Sequence, residues 1–182
     1  MTEEEYNDIK ELYIDNVKEI MLDQGGLFPH LTIFAHHKKY KEDEPKSAII
    51  HIPLSDDYMS DEDSKDEFVN ETLPLVYGTI KEDFVPYGIG WASEAWMRVA
   101  DKDFDFKSSN YKDLPIKKEV LLLSIETEDK SDTYLYEIKR SGSQINSDGK
   151  LTDRLELIEM EEMSSMKSVD GRFAGLYKKL NK

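Results

Sequence analysis

Four histidines and one glutamate set between two tryptophans are the residues of this chain whose types could carry chemistry. The histidines are His30, His36, His37 and His51. His30 and His36 share parity along one strand-like run, and His51 sits in the next run. Two imidazoles could therefore meet an acid such as Asp56 or Asp57, the raw material of a zinc or iron site. No HExxH or comparable spacing supports that arrangement, and His36-His37 stands where a strand leaves for a lysine-rich loop. No metal is expected. Glu94 lies within Gly90-Trp91-Ala92-Ser93-Glu94-Ala95-Trp96-Met97-Arg98. On a strand, Trp91, Ser93, Ala95 and Met97 face one way, and Ala92, Glu94, Trp96 and Arg98 the other. Glu94 is then either a core carboxylate satisfied by Arg98 or a backbone amide, or a pocket group whose pKa is raised by apolar surroundings. With His36 or His51 nearby it would suit acid–base work, which makes Glu94, His36 and His51 the candidate catalytic residues. The two tryptophans are expected to be buried on opposite faces of a central strand.

Other motifs fail on inspection. Asp101, Asp103 and Asp105 open like a calcium loop, but Phe106 stands where glycine is needed and Lys112 where the bidentate glutamate is needed. Gly88-Ile89-Gly90 lacks the third glycine of a dinucleotide fingerprint. There is no Walker sequence and no Gly-x-Ser-x-Gly elbow, so no cofactor is expected. With no cysteine in the chain, disulfides, thiolate nucleophiles and cysteine-based metal centres are excluded. Ser93-Glu94-Ala95-Trp96-Met97, followed by Pro115-x-Lys117-Lys118-Glu119-Val120 and a run of strands, resembles small proteins scattered through phage and bacterial genomes. The resemblance covers the middle of the chain and implies a phage-type accessory protein. It brings no activity and no functional residue with it.

The elements that must position these groups can be read in order. Thr2 and Glu5 form a capping box, apolar residues recur from Ile9 through Leu12, Tyr13, Val17, Ile20 and Met21, and Gly25-Gly26 stops the pattern. A helix over 3–23 follows from this. Residues 31–35 and 47–52 read as an antiparallel hairpin. Phe68, Leu75, Val76 and Ile80 give a middle helix that Pro74 should kink or split. Residues 87–99 read as one long strand, bent near Gly88 and Gly90. A loop over 101–114 precedes strands over 120–125, 133–138 and 154–160, and Asp170 caps a C-terminal helix carrying Phe173, Leu176, Tyr177 and Leu180. The reading is a single α+β domain over 1–182. Its mainly antiparallel sheet has about five or six strands, with N-terminal, middle and C-terminal helices packed on it.

Charge bounds the partners. The 182 residues hold 24 Lys and Arg against 39 Asp and Glu, a formal net charge of −15. Such a surface disfavours nucleic-acid phosphates and anionic membranes and steers toward a protein with a basic surface. The acids of 55–67 (Asp56, Asp57, Asp61, Glu62 and Asp63 foremost) are the candidate partner-binding residues. Together with Glu156, Glu159, Glu161 and Glu162 they could also imitate nucleic acid before a basic groove. Asp61, Glu62 and Asp63 also suit a helix N-terminus. Glu3, Glu4, Glu5 and Asp8 leave no basic start for a secretory signal, and no apolar run approaches the ~18 residues of a membrane span; a cytoplasmic protein is expected. Three functions remain open: an acidic interaction or accessory protein, a small-ligand protein or enzyme using Glu94 and a histidine, and a nucleic-acid mimic.

Overall fold

The computed structural model of the chain describes residues 2–39, 47–98, 114, 116–160 and 175–181. Helix α1 (Glu3–Gln24) starts at the capping box: the Thr2 hydroxyl accepts the Glu5 N–H at 3.1 Å, and the Glu5 carboxylate accepts the Thr2 N–H at 2.7 Å. It ends at Gly25, whose φ of 71° is left-handed and whose N–H returns to the Met21 carbonyl. A side chain at Gly25 is blocked twice, by that φ and by β6, since a Cβ would lie 2.5 Å from the Asp153 nitrogen. The buried face is Tyr6, Tyr13, Ile14, Val17 and Met21. Leu12 and Ile20, which apolar spacing assigned to the same stripe, are exposed: Leu12 is turned well away from the Tyr13–Val17–Met21 line, and Ile20 lies on its margin.

Strands β1 (His30–His37), β2 (Ser47–Pro53), β3 (Phe84–Arg98), β4 (Ile116–Thr127), β5 (Ser131–Ile145) and β6 (Leu151–Glu159) form one antiparallel sheet in the order β2-β1-β3-β4-β5-β6. The α+β class and the antiparallel sheet are as expected. β4, β5 and β6 run longer than their apolar centres, with polar residues at the strand ends still paired to the neighbouring strands. Between β2 and β3 the chain forms α2 (Asp56–Met59), α3 (Glu62–Glu67), a π-helical turn (Phe68–Thr72) and α4 (Leu73–Asp83). Pro74 is the second residue of α4 and follows directly on the π-helical turn, so the middle helix expected over these residues is divided there into α3, the π-turn and α4. The widened turn before it, closed by the Leu73 N–H reaching the Phe68 carbonyl, gives room to the proline ring. A short α5 (Leu176–Leu180) follows β6. Val99, the 101–113 segment with Asp101, Asp103 and Asp105, Glu161 and Glu162, and Asp170 and Phe173 lie outside the described residues. No helix among the described residues is long and apolar enough to cross a membrane.

Two apolar layers cover the sheet. On one face Phe34, Ala92, Leu121, Leu123 and Tyr136 pack under α1. On the other, Leu31, Ile33, Ile89 and Trp91 pack against Phe68, Leu73, Tyr77 and Leu176. Trp91 is 5% exposed, as a core residue should be, but Trp96 is 63% exposed, which corrects the expectation that both are buried. β3 simply outruns its helix. The cover over this face ends where Glu94 meets the Leu27 N–H just past the end of α1, and Trp96 lies one step beyond.

Gly90 shows how closely α1 approaches. A Cβ there would stand 2.6 Å from Cζ of Tyr13, so the tyrosine ring lies directly on β3. Gly90→Ala should lower stability by about 1–3 kcal/mol through overpacking. Gly78→Ala, on the open face of α4 where a Cβ meets nothing within 4 Å, should raise it by about 1 kcal/mol. Urea midpoints of the two variants should move in opposite directions; movement together would contradict the packing described.

Candidate functional site

The register of β1 assembles the site. His30 stands opposite Pro53 of β2 and Ala92 of β3, and Thr32 opposite His51 and Gly90. Alternation along the strands puts His30, Thr32, His51, Pro53, Ala92 and Glu94 on the face that α1 crosses. The last turn of α1 and the segment joining it to β1 lean over these residues and leave a cleft of about 580 Å³. Ile20, Leu27, Phe28 and Pro53 supply apolar walls; Gln24, His30, His51 and Glu94 supply the polar groups.

Glu94 is held from two sides. One oxygen accepts the Leu27 N–H at 2.6 Å and the other accepts Nη2 of Arg140 at 3.0 Å. Gly26 permits this approach, since a Cβ there would stand 3.1 Å from Oε1 of Glu94. Arg140 also binds Glu119 through Nη2 and Nε at 2.6 and 3.0 Å. Its Nη1 reaches Asp153 at 2.9 Å and the Gly25 carbonyl at 3.0 Å. Burial pushes the Glu94 carboxyl above its ordinary value, against the pull of the Leu27 amide and Arg140. Glu119, hydrogen-bonded to the same guanidinium, sits below its ordinary value. Of the two partners anticipated for Glu94, the backbone amide is present as the Leu27 N–H, whereas Arg98 reaches the Leu114 carbonyl, with a register shift between Met97 and Arg98.

His30 is 8% exposed. Its Nδ1 lies 3.2 Å from the Phe28 carbonyl, an acceptor, so Nδ1 carries the proton and Nε2 is left as an acceptor. That Nε2 is buried and has no hydrogen-bond partner in the structure. Burial lowers the pKa of the ring, which keeps it neutral. His51 is exposed on the edge strand, with Nδ1 3.0 Å from the Thr32 hydroxyl and its ring edge-on to His30 at 5.9 Å. The Tyr13 hydroxyl is buried beside Thr32 and makes no hydrogen bond of normal geometry.

Glu94 and His51 therefore meet in one cleft, and His36 does not join them. It stands at the far end of β1, 4.4 Å from the Tyr87 ring, with the Ser47 hydroxyl 3.5 Å from Nδ1. His30, noted in the sequence only for its parity, is the buried member of the cleft, and the hairpin register is the signal that places it beside His51. Arg140 and Glu119 carry no local signal at all. Of the acidic stretch, Asp61 caps α3 by accepting the Ser64 N–H at 2.8 Å, Glu62 and Asp63 occupy its first turn, and Glu62 pairs with Lys65 at 3.1 Å. Asp56 and Asp57 open α2, where Asp57 is exposed. Among the described residues no three His, Asp or Glu side chains are grouped to hold a metal ion.

Comparison of the chain with protein-family models, with curated proteins and with solved structures finds no match in any of the three. The Glu94 geometry has a measurable consequence. Below its ordinary pKa of 4.5 the carboxyl is protonated both folded and unfolded. As pH rises, the unfolded chain releases that proton first, so the parent should lose stability relative to Glu94→Gln until the folded pKa is passed. Urea midpoints of both proteins across this range should show the difference shifting toward the variant; a shift toward the parent would mean that Glu94 is ionised more readily when folded.

Proposed function

We propose that this protein binds a small, mainly apolar molecule in the cleft beside His30, His51 and Glu94, and acts through that binding. The carrying observation is the cleft itself. Its volume lies within the range of about 300–1,000 Å³ common to ligand sites, and its apolar walls surround a few convergent polar groups. Phe28 and Ile20 leave apolar surface open at its rim, being 74% and 38% exposed. Both Glu94 oxygens already accept hydrogen bonds, which supports binding over acid–base catalysis at this carboxylate. A phage-type accessory role, implied by the sequence resemblance, fits a protein that acts by holding something rather than by converting it.

A second reading, docking to a protein, rests on Trp96, since an exposed tryptophan suits a contact surface. The acids of 55–67 favour it less. Asp61, Glu62 and Asp63 already serve the start of α3, and exposed charge is the ordinary state of such residues.

N-phenylnaphthylamine, a neutral dye that brightens in apolar surroundings, tests the first reading. It should bind saturably, and Ile20→Asp, a change at a part-exposed wall position, should weaken it by about tenfold or more. Brightening that never saturates, or that Ile20→Asp leaves unaltered, would remove the cleft as a binding site.

A further inference from the structure

We infer that two copies of this chain pair edge to edge through β2, antiparallel about a two-fold axis at Ile50, to make one continuous sheet. β2 ends the sheet, with β1 on one side and no described strand on the other. An open edge presents a row of unpaired N–H and C=O groups, and proteins guard such rows with charged side chains. The opposite edge is guarded, since β6 carries Asp153, Arg154, Glu156 and Glu159. β2, Ser47-Ala48-Ile49-Ile50-His51-Ile52-Pro53, holds no Lys, Arg, Asp or Glu in a chain of which 35% is charged.

The register fixes which backbone groups are free. The Leu54 N–H donates to the Pro29 carbonyl at 3.0 Å, one step beyond the His30–Pro53 pair. Hydrogen-bonded pairs alternate along an antiparallel ladder, so Ile52, Ile50 and Ala48 turn their backbone groups toward β1. Those of Ser47, Ile49 and His51 point outward. A second β2, related by an axis at Ile50, sets Ile49 against the partner's His51, each N–H donating to the other's carbonyl. Pro53, with no N–H to offer, falls at the end of this ladder opposite the partner's Ser47, where a proline is tolerated. On the face toward α4, Ile50 meets Ile50 and Ala48 meets Ile52. There Ile50 and Ile52 are only partly buried against the layer of Phe68, Leu73 and Tyr77. On the other face Ile49 is 42% exposed and gains cover beside the partner's His51.

Charge favours a second copy as the occupant. At a net charge of −15 two copies repel wherever their acids meet. Along β2 they approach without juxtaposing charges, and in this register the strand is its own complement. His51 and Pro53 also line the cleft, so the partner's Ile49 and Ser47 stand at its rim. Neither the dimer nor its test depends on what the cleft holds.

Sedimentation equilibrium of the full chain at low and moderate salt tests the pairing. The parent should exchange between monomer and dimer, and the dimer should tighten as salt screens the like charges. Ile49→Pro removes an outward N–H that β1 does not use. It should weaken the dimer by about tenfold or more while circular dichroism stays that of the parent. The chain has no cysteine, so disulfide formation under diamide reads the register directly. Ile50→Cys should cross-link to its own copy, the two Cα atoms lying about 4.5 Å apart as a non-hydrogen-bonded pair. Ala48→Cys should not, because its two copies lie about 14 Å apart. A parent that stays monomeric at both salts would overturn the proposal, as would a dimer that loosens with salt or that a folded Ile49→Pro leaves intact. Equal cross-linking at the two positions, or none at either, would overturn it too. If Ile49→Pro does not fold, the salt dependence and the two cysteine variants decide the matter.

Discussion

Arg140 is the point on which the site depends. One guanidinium on β5 gathers the Gly25 carbonyl at the end of α1, Glu94 on β3, Glu119 on β4 and Asp153 on β6. A planar fork of five donors can serve several acceptors at once, which a lysine ammonium cannot do with the same geometry. The consequences run outward in one line. Arg140 steadies the Glu94 carboxylate, Glu94 holds the Leu27 N–H, and the segment so fixed presents the Phe28 carbonyl to Nδ1 of His30. The tautomer of a histidine on β1 is thus set from a strand three places away in the sheet. Losing the arginine would leave Glu94 and Glu119 as neighbouring carboxylates without their shared cation, which costs far more than the intact pair contributes.

The cleft exists because helix and sheet differ in reach. Tyr13 lying on Gly90 brings α1 against the middle of β3, and Gly25 then ends the helix while β3 continues. Beyond that end the sheet face is covered only by the turn back toward β1. The same mismatch accounts for three features: the open cleft, the half-buried Glu94 and the exposed Trp96. A longer helix would bury all three.

Most of the architecture was legible because it is written locally. The capping box and the Gly25 stop mark α1 to within a residue, and β-branched runs mark the hairpin of β1 and β2. Pro74 was legible as a breaker but not as the second residue of a helix preceded by a π-turn, since propensity alone says nothing of how a neighbouring turn relieves a clash. The fate of Trp96 depended on where α1 stops relative to β3, a tertiary fact that alternation cannot supply. Glu94 stood out in the sequence through its setting among tryptophans. Its partners Leu27 and Arg140 lie far along the chain in both directions, joined by a register that no short motif encodes. His30 was within reach of a stricter reading, since pairing Thr32 with His51 places it beside the cleft.

The relay from Arg140 to the α1–β1 segment can be observed at one backbone atom. Amide hydrogen exchange at Leu27, compared between the parent and Arg140→Met, reports whether Glu94 holds that N–H in solution. The Leu27 amide should exchange slowly in the parent and much faster in Arg140→Met, while amides along the β3–β4 ladder stay protected in both. Fast exchange at Leu27 in the parent, or equal protection in the two proteins, would contradict the claim that Arg140 fixes the cleft through Glu94.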